Sequence, residues 1–195
     1  MHWLAFALLV SLPVSTFGQK PDDEKPPLSI EKKLKYHATR TVEPGVLLRA
    51  AIAAGEQQMR NAPPEWGQGP VAYGQRYASS MASNALQNGL AFGLDAALHE
   101  DPRFYRLGKY GMWRRTRSAL MQTLICRDDR GDNTIAVWRV GSAFGSSAIS
   151  TAWRPNSEDQ FSDFMIRGAV TLAIDTGSNV FREFWPDIKK LLRRK

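Results

Sequence analysis

Basic and aromatic side chains are interleaved between Arg103 and Arg117. This stretch holds six arginines or lysines, four aromatic residues and no acidic residue. Cations attract phosphates and other anions, while aromatic rings favour the interfacial layer of a membrane. The stretch therefore predicts contact with a lipid headgroup or a bound anion. The alternative is a solvated loop whose aromatic residues pack inward.

A second basic cluster lies at residues 189–195, beside the apolar Phe184, Trp185, Ile188, Leu191 and Leu192. This arrangement favours surface contact with an anionic membrane or polymer. The candidates for binding an anion or a headgroup, taken from both clusters and one upstream helix, are Arg76, Arg103, Arg106, Arg114, Arg115, Lys189, Lys190, Arg193 and Arg194.

Catalytic and metal-binding patterns are sparse. After residue 18 the histidines are His37 and His99, too few for a multi-histidine metal site, and we predict neither a metal nor a cofactor. The run His99, Glu100, Asp101 supplies acid and base groups, which makes an envelope hydrolase one alternative. The single cysteine, Cys126, excludes an intramolecular disulfide. A non-enzymatic protein is the simpler expectation.

The first 18 residues are typical of a secretory signal peptide. An apolar run from Trp3 to Val10 is followed by Pro13 and by the small residues Thr16 and Gly18, although no lysine or arginine precedes the run. Residues 19–40, rich in proline and charge, predict a flexible linker, and residues 41–195 a single folded domain. We therefore expect export to the periplasm or the cell envelope, with association with the membrane.

The net charge of +7 indicates an anionic partner. In an exported protein, anionic lipid, lipopolysaccharide or a wall polymer is a better candidate than nucleic acid. The composition is also compatible with a homo-oligomer.

The elements that must carry these residues are helical. Apolar spacing and proline punctuation predict helices from Pro44 to about residue 60, at 71–98, 112–127 and 134–153, and from Ser157 to Phe184 with a bend or break at Pro186. Alternation of period two is confined to 135–140, a short strand candidate. The fold class is therefore all-α, a single bundle of about five helices.

Small residues recur at every fourth position in three of these helices. Since glycine costs up to about 1 kcal/mol in a helix interior, we expect these positions to permit close helix packing. An integral membrane bundle packed by such stripes is the alternative. The mean hydropathy of −0.35 and the internal charges Asp95, Arg139 and Asp175 favour a soluble or peripheral bundle. If the stripes pack together, Arg139 can pair with Asp95 or Asp175; the alternative is that each charge faces solvent. The stripe residues are Ala85, Gly89, Gly93, Gly141, Gly145, Ala173 and Gly177.

Three motifs resemble those of a family of exported bacterial proteins: Trp-Gly-Gln-Gly at 66–69, Tyr-Gly-Gln-Arg-Tyr at 73–77 and Asp-Pro-Arg-Phe-Tyr at 101–105. The resemblance covers about residues 45–185 and implies export and the domain boundaries, without an activity. We interpret Trp66, Gly67, Gly69, Asp101 and Pro102 as a structural motif. In this interpretation Arg76 and Arg103 reach Glu65 or Asp101 and clamp two helix ends. An anion site on Arg76, Arg103 and Arg106 is the functional alternative.

Overall fold

The computed structural model describes residues 26–155 and 160–193. Within these ranges, six α-helices surround a small antiparallel sheet of strand order β1-β2-β3. The helices are α1 (Ile30–Thr41), α2 (Pro44–Met59), α3 (Pro70–Ala97), α4 (Met112–Met121), α5 (Val137–Ile149) and α6 (Gln160–Leu192). The strands are β1 (Glu100–Asp101), β2 (Ile125–Asp128) and β3 (Asn133–Ile135). The helical class is confirmed, and the predicted signal peptide lies outside the described residues.

Helix α3 is the centre of the packing. It contacts α1, α2 and α5, while α6 packs on α5 and α4. A small core of Ala91, Cys126, Ala136 and Trp138, with Leu94 against it, lies where α3, the sheet and α5 meet. None of the described helices has the length and apolar character required to cross a membrane.

The linker prediction is wrong for residues 30–40, which belong to helix α1. Ser29 caps this helix by accepting a hydrogen bond from the backbone N–H of Lys32, and the prolines all lie upstream of it. Lys33 and His37, one turn apart, are 2% exposed. Helix α1 has little apolar surface to bury, and it is therefore attached through hydrogen bonds from Lys33 and His37 to residues of other elements.

The predicted helix at 112–127 ends early. Helix α4 stops at Met121, and the chain then enters β2, which pairs with β3 in the register Ile125 opposite Ile135. The predicted element at 134–153 accordingly begins as strand and becomes α5 only at Val137, with a short 3₁₀ turn at Ser150–Trp153. These strands have two to four residues, too few for alternation to show in the sequence.

Helix α6 continues through Pro186, where the sequence predicts a bend or a break, so the helix does not break there. A proline removes one backbone donor and disturbs the carbonyls of the preceding turn. In that turn the carbonyl oxygen of Glu183 accepts from Arg106 Nε and Arg115 Nη2, each at 2.8 Å. Two arginines thus supply hydrogen-bond donors to a carbonyl oxygen in the turn that precedes the proline.

The small-residue stripe is confirmed on α5 alone. A Cβ at Gly141 would lie 2.9 Å from Leu94 Cδ1 and one at Gly145 3.3 Å from Leu90 Cδ1, so α5 approaches α3 closely at both positions. The prediction is wrong for the stripes of α3 and α6, because α3 turns Ala91 and Asp95 inward instead. The exposed stripe residues are Ala85, Gly89, Gly93, Ala173 and Gly177.

Candidate functional site

Arg76 holds the loop before α3 and has no exposed surface. Its guanidinium donates to four acceptors, the carbonyl oxygens of Ala62, Pro63 and Gly67 and the side-chain oxygen of Gln58. The loop turns at Gly67 and Gly69, whose φ angles of 66° and 101° favour glycine. The clamp is therefore present, but its acceptors are backbone carbonyls and an amide, while Glu65 is exposed. Four of the five N–H donors of Arg76 are used within the fold and the side chain is fully buried, which does not favour the predicted anion-binding role.

Asp101 and Arg103 form the second clamp. Arg103 Nε lies 2.9 Å from Asp101 Oδ1, and the Tyr105 hydroxyl donates to Oδ2 at 2.8 Å. Burial favours the protonated carboxyl, but hydrogen bonds from Arg103 and Tyr105 outweigh it, so the pKa of Asp101 lies below its ordinary value. Burial and the bond to Asp101 raise the pKa of Tyr105 to about 12. With Pro102 also buried, the Asp-Pro-Arg motif is structural.

Glu183 binds two arginines of the basic stretch, Arg106 and Arg115. Its carboxylate accepts from Arg115 Nε at 2.8 Å and from the backbone N–H of Leu107 and Gly108. Arg115 Nη2 also donates to Asp187 at 2.6 Å, and Arg106 Nη2 lies 3.7 Å from the same carboxylate. The guanidinium groups of Arg103, Arg106 and Arg115 therefore bind internal acceptors, which does not favour the predicted headgroup role.

His99, Glu100 and Asp101 do not converge. The His99 side chain is 79% exposed, whereas both Glu100 oxygens accept from the backbone N–H groups of Val137 and Trp138 at the start of α5. Glu100 is thus a helix cap, and Asp101 is engaged by Arg103. The groups that the hydrolase alternative requires point to three different environments.

Metal and thiol chemistry find no support in residues 26–155 and 160–193. No group of three His, Cys, Asp or Glu side chains there is arranged to hold a metal ion. Burial, followed by the charge of Glu100, raises the pKa of the Cys126 thiol to about 12. The thiolate that a cysteine nucleophile requires is therefore strongly disfavoured.

A buried histidine and aspartate pair joins α1 to α3. His37 Nε2 lies 2.6 Å from Asp95 Oδ2, with the Tyr36 and Trp138 rings against the imidazole. Asp95 is therefore not the partner of Arg139, whose guanidinium lies 4.6 Å from the centre of the Trp138 ring and donates to the carbonyl of Gln122. Of the two aspartates that the sequence offers, Asp175 is the one whose charge acts on Arg139. The four-residue spacing of Lys33 and His37 was the sequence signal for this contact.

The free ends of α4 and α6 bring exposed apolar and basic groups together. The two segments run antiparallel, because Arg115 contacts Asp187 while Thr123 contacts Thr176. Residues 112–113 therefore lie at the same end as residues 185–193. We call this surface the α4/α6 end; it comprises Met112, Trp113, Trp185, Ile188, Lys189, Lys190, Leu191, Leu192 and Arg193, all exposed.

Of the remaining anion-binding candidates, three lie on the α4/α6 end. Lys189 Nζ lies 5.1 Å from the centre of the Trp185 ring, and Lys190 and Arg193 are exposed beside it. Arg114 stacks over Tyr110 at 4.4 Å. Arg194 lies outside the described residues.

No family model, curated protein or solved structure matches the chain. The resemblance in the three motifs stays a prediction, and the functional argument depends on the contacts described above.

Proposed function

We propose that this protein is a non-enzymatic component of the cell envelope that docks peripherally on an anionic membrane through the α4/α6 end. The observation that carries the proposal is the joint exposure of large apolar side chains and cations at this end. Trp113 is 81% exposed, Met112 73%, and Leu191 and Leu192 67% each. Large apolar side chains exposed together at one end of a fold are typical of protein or membrane contact sites.

Electrostatics favours an anionic membrane over a neutral one. Lys189, Lys190 and Arg193 surround the apolar residues, and each cation near an anionic bilayer contributes about 1 kcal/mol. The nearest carboxylates, Glu183 and Asp187, bind Arg115, so their negative charge is balanced within the fold. The net charge of +7 adds a long-range attraction of the same sign.

The apolar residues favour a lipid bilayer over a wall polymer. Burying a side chain of the size of Leu191 or Met112 stabilises by about 1.5 to 3 kcal/mol. A bilayer interface provides the apolar layer for this transfer, and the Trp113 and Trp185 rings suit its headgroup level. A hydrated polymer offers charge without that layer.

Co-sedimentation with vesicles tests the proposal. We expect binding to vesicles of phosphatidylglycerol and phosphatidylcholine, weaker binding in high salt, and little binding to phosphatidylcholine alone. The triple variant K189Q/K190Q/R193Q should lose most of the binding. A matched variant, K32Q/K35Q/R130Q, removes three exposed cations from other elements and should keep it. Equal binding to neutral vesicles, or equal loss in both variants, contradicts the proposal.

Export belongs to the same proposal and is supported by the pattern of residues 1–18. Fractionation of cells should place the protein in the envelope, in a pool that salt or carbonate releases from membranes. N-terminal sequencing should find a mature chain that begins at Gln19. A chain that retains Met1 in the cytosolic fraction would contradict export and leave the vesicle result standing.

A further inference from the structure

A large cavity lies between α2, α3, α5 and α6, on residues that the α4/α6 end does not include. Its volume is about 990 Å³, at the upper end of the range of about 300 to 1,000 Å³ that small-molecule sites occupy. Its wall is mixed: polar side chains from α3 and α5 face an apolar stripe on α6, Ile166, Val170 and Ile174. These three residues are about half exposed, so the cavity is accessible from outside.

Four donors in the cavity wall lack a hydrogen-bond partner within the described part of the chain. They are Ser83 Oγ, Trp138 Nε1, Arg154 Nε and Arg167 Nε, all shielded from solvent. A buried donor without an acceptor is costly, and native folds rarely retain several in one place. Indole and guanidinium nitrogens can only donate. The residues that line the cavity therefore carry four donors with no acceptor in the described part of the chain, and a side-chain rotation would bring them to a bound ligand.

Two of these donors are cations that repel each other. Burial and then the neighbouring Arg167 lower the pKa of Arg154 to about 10, and burial also lowers the pKa of Arg167. The carboxylate of Asp163 lies 4.0 Å from Arg167 Nη1 and attracts both guanidinium groups. Adjacent guanidinium groups with idle donors suit an oxyanion, which accepts from both in a forked geometry.

The other charged groups of the wall do not cancel this attraction. Glu56 is paired with Arg60, so its charge is balanced locally. Asp175 acts on Arg40 and Arg139, away from the Arg154 end. The remaining charged residues of the wall are Arg49 and Glu65, both exposed.

The donors also specify the shape of the ligand. Trp138 is at the start of α5 and Arg154 follows its end, and a helix of 13 residues is about 20 Å long. The apolar stripe of α6 also lines the cavity. A ligand that meets the arginines and the stripe has a charged head and an elongated apolar body.

We propose that this cavity binds an amphipathic anion, with a phosphate or carboxylate head between Arg154 and Arg167 and an aliphatic chain along Ile166, Val170 and Ile174. The ligand is either a lipid taken from a membrane or a free acyl compound. This inference is independent of the docking surface, since it uses none of its residues.

Isothermal titration calorimetry with soluble probes tests the site. Dihexanoyl phosphatidic acid represents a lipid and decanoate a free acyl anion, and both are used below their micelle concentrations. We expect one site per chain, with the tighter probe identifying the source. Inorganic phosphate should bind at least tenfold more weakly, and neutral decyl maltoside should not bind. Equal affinity for phosphate overturns the aliphatic part, and equal affinity for decyl maltoside overturns the ionic part.

Variants locate the binding. R154M and R167M should each weaken binding at least tenfold, whereas R130M, which removes an exposed arginine in a turn far along the chain, should not. Without ligand, R154M should melt at a higher temperature, since it relieves the repulsion, and this shows that the variant folds. V170W fills the cavity without altering charge and should also abolish binding. Wild-type affinity in R154M, R167M and V170W, or no heat with either anion, overturns the proposal.

The two proposals can fail separately. K189Q/K190Q/R193Q should bind the soluble probes as the wild type does, and R154M should co-sediment with anionic vesicles as the wild type does. Loss of probe binding in the triple variant would place the ligand on the α4/α6 end and overturn the cavity site.

Discussion

The carboxylate of Glu183 accepts a hydrogen bond of 2.8 Å from Arg115 Nε, which joins α6 to α4. Glu183 is 1% exposed and also accepts from the backbone of residues 107 and 108. One carboxylate thus fixes the basic loop, α4 and the proline-containing turn of α6. The position of the α4/α6 end depends on it.

Replacing Glu183 should destabilise the protein strongly. E183Q removes the buried charge beside Arg115, which keeps only the partly exposed Asp187 as an anionic partner. Breaking one side of a buried pair costs about 3 to 5 kcal/mol. The matched change D187N removes a carboxylate that is 40% exposed and should cost less than about 1 kcal/mol. Urea unfolding followed by circular dichroism measures both. Similar losses in the two variants would contradict the central position of Glu183.

Asp101 should make stability depend on acidity. Its pKa in the fold is lower than in the unfolded chain, so the ionised form stabilises the fold above about pH 4 and this contribution disappears as pH falls through the folded pKa. D101N lacks the contribution and should be less stable by about 2 kcal/mol at pH 7. The gap between wild type and D101N should close below pH 4. Burial raises the pKa of Glu100 in both proteins, so its contribution cancels in the difference. Burial also raises the pKa of Asp95, and D101N removes a smaller cause of that shift, the charge of Asp101. A gap that stays constant from pH 2 to pH 7 would contradict the pairing.

Two glycines of α6 should respond oppositely to alanine. A Cβ at Gly168 would lie 2.3 Å from Cδ1 of the Phe144 ring, whereas one at Gly177 meets nothing within 4 Å. G168A should therefore destabilise by about 1 to 3 kcal/mol, and G177A should stabilise by up to about 1 kcal/mol through helix propensity. Thermal unfolding of the two variants gives the comparison. Stabilisation by G168A would show that α5 and α6 are further apart than described.

Lys33 should hold α1 in place. Its Nζ donates to the carbonyl oxygens of Asp95 and Glu100, at 3.1 and 2.8 Å, and lies 3.1 Å from Asp129 Oδ1. K33M leaves these acceptors unpaired and should reduce the hydrogen-exchange protection of residues 30–41 by at least tenfold, equivalent to about 1.4 kcal/mol. K32M, on the exposed face one residue away, should leave protection unchanged. Equal protection in K33M and wild type would remove the support for a docked α1.

The sequence predicts those helices whose ends are set by residues at the ends themselves. Pro44 and Pro70 begin α2 and α3, and the Asp101-Pro102 pair follows α3 closely, so the predicted bounds are nearly those observed. Proline acts on its own turn of the chain, which makes its effect visible without knowledge of the fold.

Local sequence patterns do not predict elements that are stabilised by partners far away in the chain. Helix α1 has lysines and a histidine where a packed helix usually has apolar residues, and its partners are about 60 residues away or more. The arginines of the basic stretch show the same effect. Their charge is visible in the sequence, but the carboxylate that engages Arg115 lies 68 residues further on.

The attachment of Lys33 has a consequence for synthesis on the ribosome. Asp129 follows Lys33 by 96 residues, so at about 5 to 20 residues per second α1 emerges roughly 5 to 20 seconds before its last partner. Its other partners, Asp95 and Glu100, follow Lys33 by 62 and 67 residues, so α1 acquires them earlier within that interval. The contacts of the segment that is made first are therefore completed only when Asp129 has been made.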